Sequence, residues 1–447
     1  MASNILNVLE NVEKGRQNCI KNAKLANLPA TDDMDIFNIG NLFLEQNNTE
    51  FIDPNTTWVR PSDWWDTENI IRNAQDIEQN GVMYHPIYCM LLKDWDATTT
   101  ISKNSISNQV TMGDAFIFSD EPDTLYVGDQ THTWDVSKDK PCSLGYKTRY
   151  IIVYTTKTSS INGIDLDNFK MLEIVTGNMK LSSSSSAFNI SNKYILSMTF
   201  LETTDFQSYF WNISGAQLRR CKILVNDIGG SNYSLNNCKL LSNADFSGVT
   251  KVQSLLQNTT LKSISFPNLK IHTSSDFISN NDNLKTINLP LLEEHNGGGL
   301  LSSCSTISSI SLPSLKKINS SSAFSNCFSL SYINLPVLET LHVSNSFCYN
   351  CYSLTEFTFP NTFLNLDTPQ LFTGCFNLNT INLITNWRWS LNVKDTDLTH
   401  ECIIDMFNKL KDLTGENSLT LTIGANNLAK VTGEELQIPN SKNWTVQ

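Results

Sequence analysis

Apolar and polar positions follow one nine-residue phrase through the second half of this chain. It reads LKSISFPNL from Leu261, LKTINLPLL from Leu284, ISSISLPSL from Ile307, LSYINLPVL from Leu330, LTEFTFPNT from Leu354 and LNTINLITN from Leu378. The starts lie 23, 23, 23, 24 and 24 residues apart. A fixed period in this range marks a solenoid, in which each repeat packs on its neighbours. Within the phrase the first, fourth and sixth residues are apolar and point inward; those between point out. Proline closes the short strand by withholding an N–H. A further apolar group turns inward before the next start: Phe277, Phe324, Phe347 and Phe372. Burying three or four such groups gains roughly 5–10 kcal/mol per coil. Ordering the coil's backbone costs more, at about 1–2 kcal/mol per residue. A single coil therefore cannot fold, and the stack needs neighbours and caps.

The same frame reaches upstream through Ile195–Met198–Phe200, Leu218–Cys221–Ile223 and Leu241–Ala244–Phe246, with Phe169–Leu172–Ile174 as an atypical first coil. Nine coils from Ile195 at about 4.8 Å each make a rod roughly 40 Å long. Residues 161–395 form the expected solenoid. Residues 396–447 form its cap: an amphipathic helix with Cys402, Ile403, Met406, Phe407 and Leu410 on one face, closed by Gly415, then the strand SLTLTIG and a short helix over NLAKVTGEEL.

The first half reads differently. Residues 1–55 carry a helical stripe at Ile5, Leu9, Val12, Cys19 and Ala23, interrupted by Arg16, with Ser3 placed to cap it. The stripe fits partner helices or its own domain's core equally well. A second helical stretch follows Asp32 and includes Ile36, Phe37, Ile39 and Phe43. Pro54 marks a linker. From 56 to 160, WVRPSDWWD is followed by the strand-like runs HPIYCMLL, VTMGDAFIF, DTLYVG, HTWDV and YKTRYIIVYT, which read as a small β-sandwich or barrel. The fold class is mixed and β-rich: a helical N-terminal segment, a small sandwich, then the solenoid with an α/β cap.

Composition narrows the function. The 447 residues exceed what one core holds, and the net charge of −12 argues against a nucleic-acid partner. The one basic cluster, Arg219, Arg220 and Lys222, reads as a solvated strand face. No apolar run is long enough to span a membrane, and the N-terminus lacks the pattern of a secretory signal, so the expectation is a protein made in a cytoplasm and not inserted into a membrane. Cys238, Cys304, Cys327, Cys351 and Cys375 each stand three residues before a repeat start. They read as buried thiols filling one position of successive coils, with disulfides or metal as the other reading.

LPSLKKINSSSAFSNCFSLSYINLP, from Leu312 to Pro336, closely resembles the BspA-type leucine-rich repeat, over about residues 241–384 and more loosely from 165. The opening NVLENVEKGRQNCIKNAKLAN…TDDMDIFNIGNL resembles N-terminal attachment segments of phage fibre-like proteins. The ending LTHECIIDMFNKLKDLTG…LTLTIGANNLAKVTGEELQI…KNWTV is similar to end caps of repeat proteins in gut phages, including crAss-like phages, and WVRPSDW resembles a segment of those proteins. The middle β-region is matched only by these few residues. The resemblance implies a virion protein, a head- or tail-fibre subunit whose N-terminal segment (Ile5, Leu9, Val12, Ile36, Phe37) docks or oligomerises it. The expected partners are its own copies (a homotrimer), other virion proteins, and a host surface glycan or protein. A bacterial surface adhesin with the same repeats is the alternative.

Catalytic, nucleotide-binding and zinc motifs are absent from the sequence, and no cofactor or metal is expected. The outward strand positions carry Asp245 and Glu356 as their carboxylates, five coils or roughly 24 Å apart, too far for the pair a glycan hydrolase needs. A glycan-cleaving spike is therefore the third reading. The outward residues Asn288, Ser311, Asn334, Thr358 and Asn382 fall in register, with Tyr332 and Glu356 beside them. They read either as a glycan-binding stripe or as a solvated polar face. Trp387 and Trp389 read either as sugar-stacking rings or as packing between solenoid and cap.

Overall fold

The computed structural model describes most of residues 60–447; its interruptions fall mainly between 93 and 234, and residues 1–59 lie outside the described part. Ile5, Leu9, Val12, Ile36 and Phe37 therefore lie outside the described residues. The repeat builds a solenoid of stacked parallel coils. Each coil has up to three short strands, and the strands of neighbouring coils stack in parallel on each side. The first side carries the phrase itself: Ser263–Ser265 pairs with Thr286–Asn288, Ser309–Ser311 with Tyr332–Asn334, and Glu356–Thr358 with Thr380–Asn382. The second side is one six-stranded sheet, from Lys251–Val252 through Ile271–His272, Glu294–Gly297, Lys317–Ser320 and Thr340–Val343 to Asn365–Leu366. The third side is shorter, with Leu256–Gln257, Ile278–Ser279 and Leu301–Ser302 in one ladder and Phe324–Ser325 with Cys348–Tyr349 in another.

The apolar residues of the phrase lie inside, as their spacing demands. Leu284, Ile307, Leu330, Leu354 and Leu378 are buried, and so are Phe277, Phe324, Phe347 and Phe372. They belong to one apolar cluster that runs from Ile87 to Trp444. Because each coil buries its side chains against the next, the core is a filament and not a ball, as expected for a quasi-one-dimensional fold.

A corner device repeats beside the third side. Asn237, Asn258, Asn280, Ser303, Asn326 and Asn350 all take the left-handed conformation, with φ between 55° and 61°, and Gly374 does so at 75°. Asparagine tolerates this region better than other L-residues. The turn aims each backbone N–H at the next coil: Asn280 donates to Ser302 O at 2.8 Å, Asn326 to Tyr349 O at 2.7 Å and Asn350 to Thr373 O at 2.9 Å.

The next residue turns inward and is usually cysteine. Cys238, Cys304, Cys327, Cys351 and Cys375 are buried free thiols. Cys351 Sγ donates to Phe324 O at 3.0 Å and Cys375 Sγ to Cys348 O at 3.4 Å. The thiol thus both fills space and satisfies a carbonyl of the preceding coil. Asn281 takes the same place one coil before Cys304 and does the same work with its amide, donating to Leu256 O at 2.9 Å. Its Oδ1 accepts from Thr259 N at 2.8 Å and from the Thr259 hydroxyl at 2.6 Å. Burial pushes the thiols of Cys238 and Cys304 up to about 12, so they remain protonated and unreactive at neutral pH.

The first side does not stop at the first coil. Its sheet holds β1 (Ile77–Gln79), β2 (Val82–Leu92), β3 (Leu125–Gly128), β4 (Thr133–Val136), β5 (Tyr150–Thr155), β6 (Met171–Thr176), β7 (Ser197–Phe200), β8 (Arg220–Ile223) and β9 (Asn243–Asp245). The order is β9-β8-β7-β6-β2-β5-β3-β4, with β1 on β2. β6 to β9 are parallel and belong to coils; β2, β5, β3 and β4 are antiparallel. The atypical coil around Ile174 is therefore present, with Glu173 opposite Ser197 and Ile174 opposite Met198.

The cap departs from expectation in two places. Helix α2 (His400–Lys409; α1, Thr67–Asn73, is described below) buries Cys402, Ile403, Met406 and Phe407, and Thr399 Oγ1 caps it by accepting from Cys402 N at 3.1 Å. It ends at Lys409, well before Gly415. Leu410 turns extended because its segment pairs with Trp387: Trp387 N donates to Lys409 O at 2.9 Å and Lys411 N to Trp387 O at 2.8 Å. Gly415 instead occupies a later turn at φ 84°. The helix expected over NLAKVTGEEL does not form: residues 429–436 are turns and a bend between two five-residue helices, α3 (Gly424–Leu428) and α4 (Gln437–Ser441). The strand Leu419–Thr422 lies between Leu391–Asn392 and Trp444–Val446, all parallel.

Candidate binding face

The three sides present different chemistry. On the second side, charges pair from coil to coil: Lys316 with Glu293 at 3.1 Å and Lys317 with Glu294 at 3.0 Å, all substantially exposed. Exposed pairs of this kind contribute little to stability, because water and salt screen them. They leave the side close to self-neutralised.

The first side carries hydroxyls and amides. Asn288 donates to Ser265 Oγ at 3.0 Å, Asn334 to Ser311 Oγ at 3.0 Å, and Asn382 to Thr358 Oγ1 and Glu356 Oε1, both at 2.9 Å. The stripe expected from sequence is therefore real as an in-register column. It also bonds to itself, each asparagine amide donating to the preceding coil. Asn288, Ser311, Tyr332, Glu356 and Thr358 are exposed; Asn334 and Asn382 are half-buried.

Trp387 does not join this surface. It is fully buried, packed on Phe359 at 4.7 Å and parallel to Phe363 at 5.8 Å between ring centroids. Its indole N–H donates to Trp389 O at 2.7 Å. Register places it inward, so it has no ring face for a ligand. Trp389 is half-buried, with the Arg388 guanidinium 5.2 Å from its ring centre.

At its N-terminal end the first side is covered. Glu173, Ser197 and Thr199 occupy the same outward columns but are at most 1% exposed. The cover includes α1 and the residues before it. Arg60 grips Glu173 with both ends of its guanidinium, at 2.9 and 2.7 Å, and Thr67 Oγ1 donates to the same carboxylate at 2.5 Å. Burial works against the charge of Arg60, but the Glu173 carboxylate more than compensates and holds its pKa above the ordinary value. Lys222 bonds both oxygens of Glu68 at 2.9 Å. The expectation that Arg219, Arg220 and Lys222 form a solvated face is thus overturned: Arg219 is buried, and the other two are largely covered and face Glu173 and Glu68. Neither Arg60 nor Glu173 was identifiable from sequence, since 113 residues separate them.

The corner between the third and first sides carries a feature the phrase does not reveal. Phe328, Tyr352 and Phe376 follow Cys327, Cys351 and Cys375 directly and stack outside the coils. Phe328 and Tyr352 lie 5.3 Å apart and 7° from parallel, Tyr352 and Phe376 6.3 Å apart and 13° from parallel. The signal was present in the sequence as an aromatic directly after Cys327, Cys351 and Cys375.

Residues 280–390 match the family model described as the BspA type leucine rich repeat region, in six copies. Among solved structures, a leucine-rich repeat protein from Bacteroides ovatus is 17% identical, with a TM-score of 0.32; the likeness covers 59% of this chain and 66% of that one, just under two-thirds of its length. No curated protein matches. The chain therefore carries BspA-type leucine-rich repeats, stacked as a β-rich solenoid.

Proposed function

We propose that the chain is an adhesion subunit of a virion, part of a phage head or tail fibre that docks through residues 1–55 and displays the solenoid toward a host glycan or protein. The observation that carries the adhesive reading is the first side. From Ser263 to Asn382 it offers an in-register hydroxyl and amide surface open to solvent, while its start is already covered by α1. Many weak contacts along such a face, multiplied over the copies of a symmetric trimer, raise avidity without a tight single site. The phage setting rests on the resemblance of the N-terminal segment to attachment segments of phage fibre-like proteins and of the C-terminal end to end caps of repeat proteins in gut phages.

In this reading the chain performs no chemistry. Asp245 accepts from Ser247 N at 2.9 Å, and Glu356 is engaged by Asn382, so both carboxylates have local structural roles. Incubation with host capsular polysaccharide should leave the number of reducing ends unchanged; their release would establish a glycan-cleaving spike instead.

The second reading, a bacterial surface adhesin, is favoured by the match to BspA-type repeats and shares the same face. Deletion of residues 1–55 separates the two. Loss of incorporation into particles supports the virion role, and incorporation of the truncated chain refutes the docking assignment.

A further inference from the structure

The exposed aromatic side chains among the described residues are Phe328, Tyr332, Tyr349, Tyr352 and Phe376, between 42% and 59% exposed. All five fall within three neighbouring coils, on or beside one corner. The fold does not require them there. One and two coils before Phe328, the position after the inward residue is held by Ser305 and Asp282, which bond each other at 2.8 Å. A polar pair therefore satisfies this position, and the switch to three stacked rings calls for a contact outside the coil. Exposed apolar clusters of this kind mark interaction sites.

The size and charge of the patch select the partner. Two ring-to-ring steps, 5.3 and 6.3 Å, span the column. That length is comparable to a few sugar rings, and three stacked side chains fall well short of the roughly 20–30 residues a side of a stable protein interface. The polar groups around it are Ser329, Ser331, Ser353 and Asn377, all uncharged, and the adjacent Glu356 is bonded by Asn382. None of the described corner residues 326–331, 350–355 and 374–379 is a cation, so the corner offers no charge to an acidic ligand. We propose that Phe328, Tyr352 and Phe376, with the hydroxyls of Tyr332 and Tyr349, form a subsite for a neutral glycan. The outward edges and end faces of the ring column meet the apolar faces of the sugars, and the surrounding hydroxyls and amides bond their hydroxyl groups.

This inference rests on the adhesive reading, and the test keeps the two apart. The probes are neutral tetrasaccharides of glucose and mannose, followed by saturation-transfer NMR on the full chain. Tyr352→Ala and Phe376→Ala should each weaken binding about two- to tenfold, while Ser305→Ala leaves it unchanged. Circular dichroism and thermal melting show that the variants fold. Absence of transfer from every probe, or equal binding by the variants, overturns the subsite, as does capture of a host protein through the same residues. Adhesion to host cells is measured alongside. Adhesion that survives Tyr352→Ala/Phe376→Ala removes the subsite and leaves the adhesive reading standing. A wild-type chain that binds sugar through the column but not cells removes the adhesive reading alone.

Discussion

His272 and His295 lie face to face inside the solenoid on successive coils, ring centroids 4.8 Å apart and 17° from parallel, neither exposed. The flanking places in the column are Val252 and Ile318, both buried. His295 Nε2 bonds Gly298 O at 3.0 Å; a carbonyl only accepts, so this nitrogen carries the proton, while Nδ1 is buried without a partner and burial keeps the ring neutral.

Acid should therefore weaken the middle of the stack. Burial pushes the pKa of His295 down to about 4 from 6.5. Between those values the unfolded chain binds a proton that the folded chain refuses. Stability then falls as pH drops through that window, by about 3 kcal/mol in all, and levels off below it. Urea unfolding at neutral pH and at about pH 4 to 5 measures the loss, and His295→Ile should remove most of it. An unchanged pH dependence in that variant would refute the assignment.

Asn281 is the polar counterpart of the inward cysteines. Asn281→Ala strands Thr259 N and Leu256 O in a dry interior and should destabilise the chain by roughly 2–4 kcal/mol. Asn281→Cys, which restores the group used in the coils that follow, should recover part of that. The thermal midpoints of the two variants decide it; equal midpoints would mean that the amide's bonds contribute nothing.

Glu173 holds the cover over the first side. Arg60→Ala leaves a buried carboxylate without its main partner, a change that typically costs about 3–5 kcal/mol. The damage should be local: faster proteolysis around α1, with the coils after Ser263 still protected. If cleavage near α1 is unchanged, Arg60 does not fasten it.

Gly374 and Asn350 occupy equivalent left-handed corners. A Cβ on Gly374 would sit 2.4 Å from Asn350 Oδ1. Gly374→Ala should cost about 1–3 kcal/mol, and Asn350→Gly in the same chain should relieve the part due to the clash. A double-mutant cycle by thermal unfolding measures the coupling, which is absent if the corners are independent.

The solenoid was legible because Leu284, Ile307, Leu330 and Leu354 repeat the same burial at one spacing, and a wrong register would expose all of them. The cysteines were legible for the same reason. The second side was not, because each of its short strands buries few groups and His272 and His295 break even that pattern. Trp387 was ambiguous because an aromatic beside Arg388 reads equally as surface or core, and only the pairing with Leu410 turns it inward. The same pairing ends α2 early, which no capping signal announces. Arg60 and Glu173 are ordinary surface residues by type; only the fold brings them together. Of the outward stripe, the sequence showed the alignment of Asn288, Ser311, Asn334, Thr358 and Asn382, but not that they bond one another or that α1 hides their upstream neighbours.

The corner asparagines carry a mechanical consequence. Their backbone N–H groups point from one coil to the next, as do the ladders on every side, so these bonds run along the rod. A tensile load between the ends would be borne by bonds in series, each coil's set holding alone, and the rod should part at its most poorly bonded joint instead of stretching evenly. Bending spreads the load differently, compressing one side while another opens. A molecule of this build resists being crushed better than being pulled.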